Sequence, residues 1–165
     1  MEDLMQAIDE FETPLLRYAR QILRHQPDVA EDVVQETFIR LHHALTAEKP
    51  IGKVRPWLYR VTHNLAIDTV RRSAKSQSLE ATKSQPEPVT ETVEDNTDAH
   101  AIALSELHSL PDEVRQVVLL KILESHTLQE VADVTGVPIS TVNYRLAKGL
   151  RLLATALRKK GVTYP

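Results

Sequence analysis

The chain has 165 residues with 20 Lys+Arg against 23 Asp+Glu, a net charge of −3, and no cysteine, which excludes disulfides, thiolate metal sites and cysteine nucleophiles and suits a reducing compartment. Aromatic residues are only 4%, so a core has to be aliphatic. No run of about 18 apolar residues could span a bilayer, and the acidic, interrupted opening MEDLMQAIDEFE is unlike a secretory signal, so a soluble cytoplasmic protein is expected.

Leu4, Ile8, Phe11, Leu15, Tyr18 and Ile22 recur at three- and four-residue spacing and predict a helix over 3–24, with Pro14 breaking or kinking it near Thr13. A second helix is predicted from Asp28 to Leu45, with Ala30, Val33, Val34, Thr37, Phe38, Leu41 and Leu45 on one face. Asp28 and Glu31 form a capping-box-like start to it. Residues 46–56 carry two Pro and one Gly and read as a loop. A third helix follows over Pro56–Ala74, with Trp57, Leu58, Val61, Leu65, Ile67 and Val70 as its core positions.

Residues 75–98 hold few large apolar side chains, two Pro and many Ser, Thr, Gln and Glu. They cannot bury enough to offset their ordering entropy, so they read as a flexible acidic linker. Beyond it, helices are predicted over Ala99–Ser109 and from Pro111 to Leu123. A third starts on the capping box Thr127-Leu128-Gln129-Glu130 and stops at Gly136; a fourth, capped by Ser140, runs through Lys160. The expected fold is all-α. Two small helical domains, 1–74 and 99–165, flank the linker 75–98, and the second is a four-helix domain containing a helix-turn-helix.

The charge is unevenly spread. Residues 53–75 hold 6 basic groups and one acidic, and residues 131–165 again 6 and one, within an otherwise acidic chain. Phosphate binding responds to such local fields, because screening confines each charge to roughly 10 Å. Either island alone could be a solvated helix face. The pair calls for a joint explanation.

The second island coincides with TLQEVADVTGVPISTVNYRLAKGL, residues 127–150. Ala132, Gly136 and Val142 stand at the separations a helix-turn-helix needs, with Val142 and Leu146 packing its last helix onto its first. Thr141, Asn143, Tyr144, Arg145, Lys148 and Arg151 point away from that face and, with Ser140 at the helix start, are the candidate DNA-binding residues. Such a helix enters the major groove, where Asn can pair with adenine and Arg with guanine. Lys148, Arg151 and Arg158-Lys159-Lys160 could track phosphates. The first island, RPWLYRVTHNLAIDTVRR (55–72), interleaves Tyr59, Arg60, Asn64, Arg71 and Arg72, a combination suited to unpaired bases and their backbone.

Three blocks, AEDVVQETFIRLHHA (30–44), RPWLYRVTHNLAIDTVRR (55–72) and the stretch 110–149, resemble in residues, order and spacing those of the extracytoplasmic-function (ECF) sigma factors of bacterial RNA polymerase. The resemblance covers nearly the whole chain. It implies a first domain that binds the polymerase clamp and melts the −10 element, and a second that reads the −35 element as duplex. On matching positions it implies contact of Asp32, Gln35, Glu36 and Arg40 with the clamp coiled coil of the largest polymerase subunit. Asn64 falls where the family holds a flipped −10 base, and Tyr59, Arg60, Arg71 and Arg72 line the same melting helix. The implied partners are core RNA polymerase through clamp and flap, and promoter DNA; the resemblance also allows an anti-sigma factor, and membrane insertion is not implied. The chain departs from the family at TVNYRL, where Asn143 and Tyr144 replace a Lys-Ser or similar pair and leave the −35 sequence open. It departs again at ESHT (124–127), which replaces a Gly-containing turn.

Catalysis is not expected. The seven His lack metal-ligand spacing, no Gly-rich phosphate loop exists with four Gly, and no base is placed for Ser140, so neither metal nor cofactor is expected. The competing reading is a stand-alone helix-turn-helix repressor or activator, with residues 99–165 binding DNA and the first lobe acting as a sensor.

Overall fold

The computed structural model describes residues 2–24, 26–79 and 98–161, with the backbone alone for 77–79 and 98–100. Every regular element among them is helical: α1 (Glu2–Ile22), α2 (Pro27–Thr46), α3 (Val54–Leu79), α4 (Asp98–His108), α5 (Asp112–Val118), α6 (Leu128–Thr135) and α7 (Ile139–Lys159). They divide into two compact units, one built on α1–α3 and the other on α4, α5, α7 and most of α6. Residues 80–97, most of the expected acidic linker, lie outside the described residues.

In the first unit α1 runs unbroken through Pro14, contrary to the expected break. Proline removes one backbone hydrogen bond. Burial of Leu15, Tyr18 and Ala19 in the next turn offsets that loss, each large side chain contributing roughly 1.5–3 kcal/mol. α2 starts at Pro27 with Gln26 in the cap position, two residues ahead of the Asp28 cap expected. Proline there has the right φ and no orphaned N–H, and Asp28 instead faces the positive helix end. The face predicted for α2 is the buried one, from Ala30 to Leu41, although Ala44 rather than Leu45 closes it.

α3 closes this unit with Leu58, Tyr59, Thr62, His63 and Ala66 buried, whereas Val70, expected in the core, is exposed and Trp57 half-buried. Two polar ties cross the core. The Thr37 and Thr62 hydroxyls meet at 3.0 Å while Thr37 Oγ1 donates to the Val33 carbonyl. The Tyr18 hydroxyl lies 2.7 Å from His63 Nδ1. Burial, with the Arg71 charge adding to it, lowers the His63 pKa to about 4. The imidazole is therefore neutral near pH 7 and pairs with the Tyr18 hydroxyl through Nδ1. α3 also continues to Leu79, five residues into the expected linker, because Lys75–Leu79 contains neither Pro nor Gly to stop it.

In the second unit α5 passes without a break into a π-helical turn, Leu119–Leu123, which periodicity does not anticipate. The Glu124 N–H donates to Leu119 O and the His126 N–H to Leu120 O, both at 3.0 Å. Ser125 then turns the chain at φ 56°. α6 starts and stops as predicted: Thr127 Oγ1 accepts from the Glu130 N–H at 3.1 Å, and Gly136 ends the helix at φ 73°. α7 begins at Ile139 after Pro138, so Ser140 occupies the first turn and makes no cap hydrogen bond, a correction to the predicted start. A Cβ on Gly149 would lie 2.6 Å from Val118 Cγ2 and 2.9 Å from Val114 Cγ1. Glycine is what lets α7 lie this close to α5.

Candidate nucleic-acid interface

The seven candidates on α7 divide by helical phase. Val142, Gly149 and Leu157 are buried against the unit. With successive side chains about 100° apart, Ser140, Tyr144 and Arg151 fall on the opposite side, with Asn143 on its flank. All four are exposed, and Tyr144 is 64% accessible. Thr141 and Lys148 are half-buried on the other flank. Arg145 sits at the margin of the buried face, its side chain 20% exposed and its Nη2 3.2 Å from Glu113 Oε2 at the start of α5. The expectation that Arg145 projects into solvent with its neighbours is therefore corrected: its guanidinium is already engaged. Farther along, Arg158, Lys159 and Lys160 are exposed, with Lys160 also paired to Glu106.

The corners that lead into α5 and α6 are held from within. His126 is fully buried and its Nδ1 lies 3.0 Å from Glu130 Oε2. Arg115, also buried, donates to the Leu110 and His108 carbonyls and to Asp112 Oδ1 at 2.6 Å, tying the α4–α5 junction. Arg115 and His126 were not among the sequence candidates. Spacing does not mark them, since a buried polar side chain is recognised by its partners.

On α3, Arg60, Asn64 and Arg71 fall within an arc of about 40° opposite the buried Leu58, Thr62 and Ala66, with Arg72 on the flank; all four are exposed. Tyr59 does not join them. It is 1% exposed, its ring centroid 5.7 Å from that of Tyr18, and the Arg55 guanidinium lies 5.6 Å above it. Tyr59 belongs to the core, because its phase on α3 is that of Thr62 and Ala66 rather than of Arg60. The aromatic nearest the cationic stripe is the half-buried Trp57, three residues before Arg60 and seven before Asn64, a spacing visible in the sequence but read there as core.

On α2, Asp32, Gln35, Glu36 and Arg40 share one arc opposite the buried face, and Glu36 Oε1 accepts from Arg40 Nε at 3.2 Å. Exposed Ile39 stands among them. Beside it, Ile8 and Leu16 of α1 and Phe38 of α2 line a groove between the two helices. Among the described residues no helix is long and apolar enough to cross a membrane.

Family models match both units: sigma-70 region 2 over residues 7–76 and sigma-70 region 4 over residues 100–153. The chain is 31% identical over 141 residues to the ECF RNA polymerase sigma factor SigW of Bacillus subtilis, across 78% of this chain and 75% of the relative. It is 33% identical over 149 residues to the ECF sigma factor SigE of Mycolicibacterium smegmatis, across 87% of this chain and 57% of that longer relative. Among solved structures, the sigma factor RpoE in complex with the anti-sigma factor NepR from Bartonella quintana has the same fold, with a TM-score of 0.79 at 18% identity over 96% of this chain and 98% of that one. Matches to a sigma region in each unit leave no room for the sensor lobe of a stand-alone regulator: the chain belongs to the extracytoplasmic-function sigma factors, which direct RNA polymerase to promoters.

Proposed function

We propose that the two units divide the promoter between them, residues 1–74 acting on the −10 element as separated strands and residues 99–165 on the −35 element as duplex. The observation that carries this reading is the presence, on two different units, of an exposed cationic helix face of different chemistry. On α7, Ser140, Thr141, Asn143, Tyr144, Lys148 and Arg151 meet the major groove, with Arg145 at its margin. On α3, Arg60, Asn64, Arg71 and Arg72 take the melted strand, Asn64 holding a flipped base and the arginines its phosphates. The polar arc Asp32, Gln35, Glu36 and Arg40 docks on the clamp coiled coil, and the second unit meets the flap. The protein works in the cytoplasm and catalyses nothing itself. An anti-sigma factor that covers these surfaces is a further partner on this reading, as NepR is of the Bartonella RpoE.

Run-off transcription with purified core polymerase on a genomic promoter library tests the division. Specific initiation is expected with the chain and none without it. Asn64→Ala should slow promoter opening, seen as reduced permanganate reactivity in the −10 region, while −35 duplex binding stays intact. Unchanged reactivity removes Asn64 from the role.

A further inference from the structure

The side chains exposed on α7 bear on which base pairs it selects. Guanine is ordinarily read by a bidentate Arg or Lys, adenine by Asn or Gln, and thymine by apolar contact with its C5 methyl. The arginine in the leading turns, Arg145, has its guanidinium on Glu113 at 3.2 Å. The exposed side chains beside it are Asn143 and Tyr144, and Tyr144 is the most exposed large apolar side chain among the described residues. Its ring stands on the outward side of α7, in phase with Ser140 and Arg151, where it meets whatever surface the helix docks on. In the groove the one apolar feature available to it is the thymine methyl. Adjacent residues diverge by about 100°, so Asn143 and Tyr144 address neighbouring base pairs rather than one.

Resting on the reading of α7 as the −35 helix, we propose that Asn143 and Tyr144 make this chain select an A·T step, Asn143 pairing with adenine and Tyr144 packing on a thymine methyl. Glu113 enforces the choice by holding Arg145 away from guanine. Glu113 is thus a positioning residue for specificity, and one outside the helix-turn-helix itself.

The test uses holoenzyme assembled from core polymerase and the full chain, selecting from duplex promoters randomised across the −35 region. The wild type should return an A·T step. Replacing the selected thymine by deoxyuridine, which removes the methyl alone, should weaken wild-type binding by roughly threefold to fivefold, the worth of one buried carbon. Tyr144→Ala should bind both duplexes alike, and Tyr144→Phe should keep the wild-type difference. Glu113→Gln should admit guanine at the adjoining position; an unchanged preference overturns the part given to Glu113. A selected −35 sequence in which wild type binds deoxyuridine as tightly as thymine overturns the readout and leaves the sigma function standing. A holoenzyme that initiates from promoters but selects nothing at −35 overturns the assignment of α7 on which the readout rests.

Discussion

The chain contains the dipeptide Tyr-Arg twice on a basic helix, and the two copies are inverted. In α3, Tyr59 is inside and Arg60 outside; in α7, Tyr144 is outside and Arg145 is drawn in to Glu113. The residues are the same and the phase differs. Tyr59 lies in line with Thr62 and Ala66 on the buried side of α3, whereas the α7 core passes through Val142 and Gly149 and leaves Tyr144 opposite. An aromatic next to a cation is therefore no evidence of a nucleic-acid platform until the buried stripe of its helix is known. In one unit the tyrosine stabilises; in the other it is available for recognition.

Mutation of the tyrosines tests this contrast most severely. Tyr59→Ala should cost about 3–5 kcal/mol in urea unfolding of the first unit, as for other large aromatic truncations in cores. Tyr144→Ala should stay within about 0.5 kcal/mol of wild type, as exposed sites do.

The next effect is on pH. His63 has a folded pKa of about 4 against an ordinary value of 6.5. Between those values the unfolded state binds more protons than the folded one, so stability rises with pH there and is lost as pH falls from 6.5 towards 4. The loss reaches at most about 3 kcal/mol. Unfolding midpoints of the first unit across this range check it, and His63→Gln should flatten the slope.

Gly149→Val attacks the second core instead. Its branches would enter space already held by Val114 and Val118, and about 1–3 kcal/mol of overpacking is expected in thermal unfolding. Smallest in stability is Arg145→Ala, which breaks a partly exposed ion pair worth under about 1 kcal/mol. Because Arg145 is held off the base edges, that variant should weaken DNA binding by a similar factor on every sequence. Asn143→Ala should change the preference at one position, and binding assays on matched and mismatched duplexes separate the two patterns.

What could be read from the sequence was local. The Thr127 cap and the Gly136 stop need only their own neighbours, and on α2 the large apolar residues other than Ile39 gather on one side, so its buried face follows from spacing. α3 has apolar residues at Trp57, Leu58, Tyr59, Val61, Leu65, Ile67 and Val70, spread around most of the helix. Several phases fit that pattern, and the packing of Tyr18 against Tyr59 and His63 decides among them. The inward turn of Arg145 escapes the sequence for a related reason: its partner stands on another helix, 32 positions earlier. The starts of α2 and α7 moved because a proline preset the backbone ahead of the residue chosen as cap.

The π-helical turn at Leu119–Leu123 has a consequence for how the chain tolerates insertions and deletions. Such a turn amounts to one surplus residue spliced into an α-helix, and the surplus rotates whatever follows by about 100°. Leu119 and Leu120 stay inside while Ile122 and Leu123 emerge into water. Deleting a single residue from this stretch would restore ordinary winding, exchange which leucines face inward, and swing the Ser125 corner round by more than a quarter revolution. A one-residue gap here would thus re-aim everything downstream, whereas gaps of the same size in a surface loop would be absorbed.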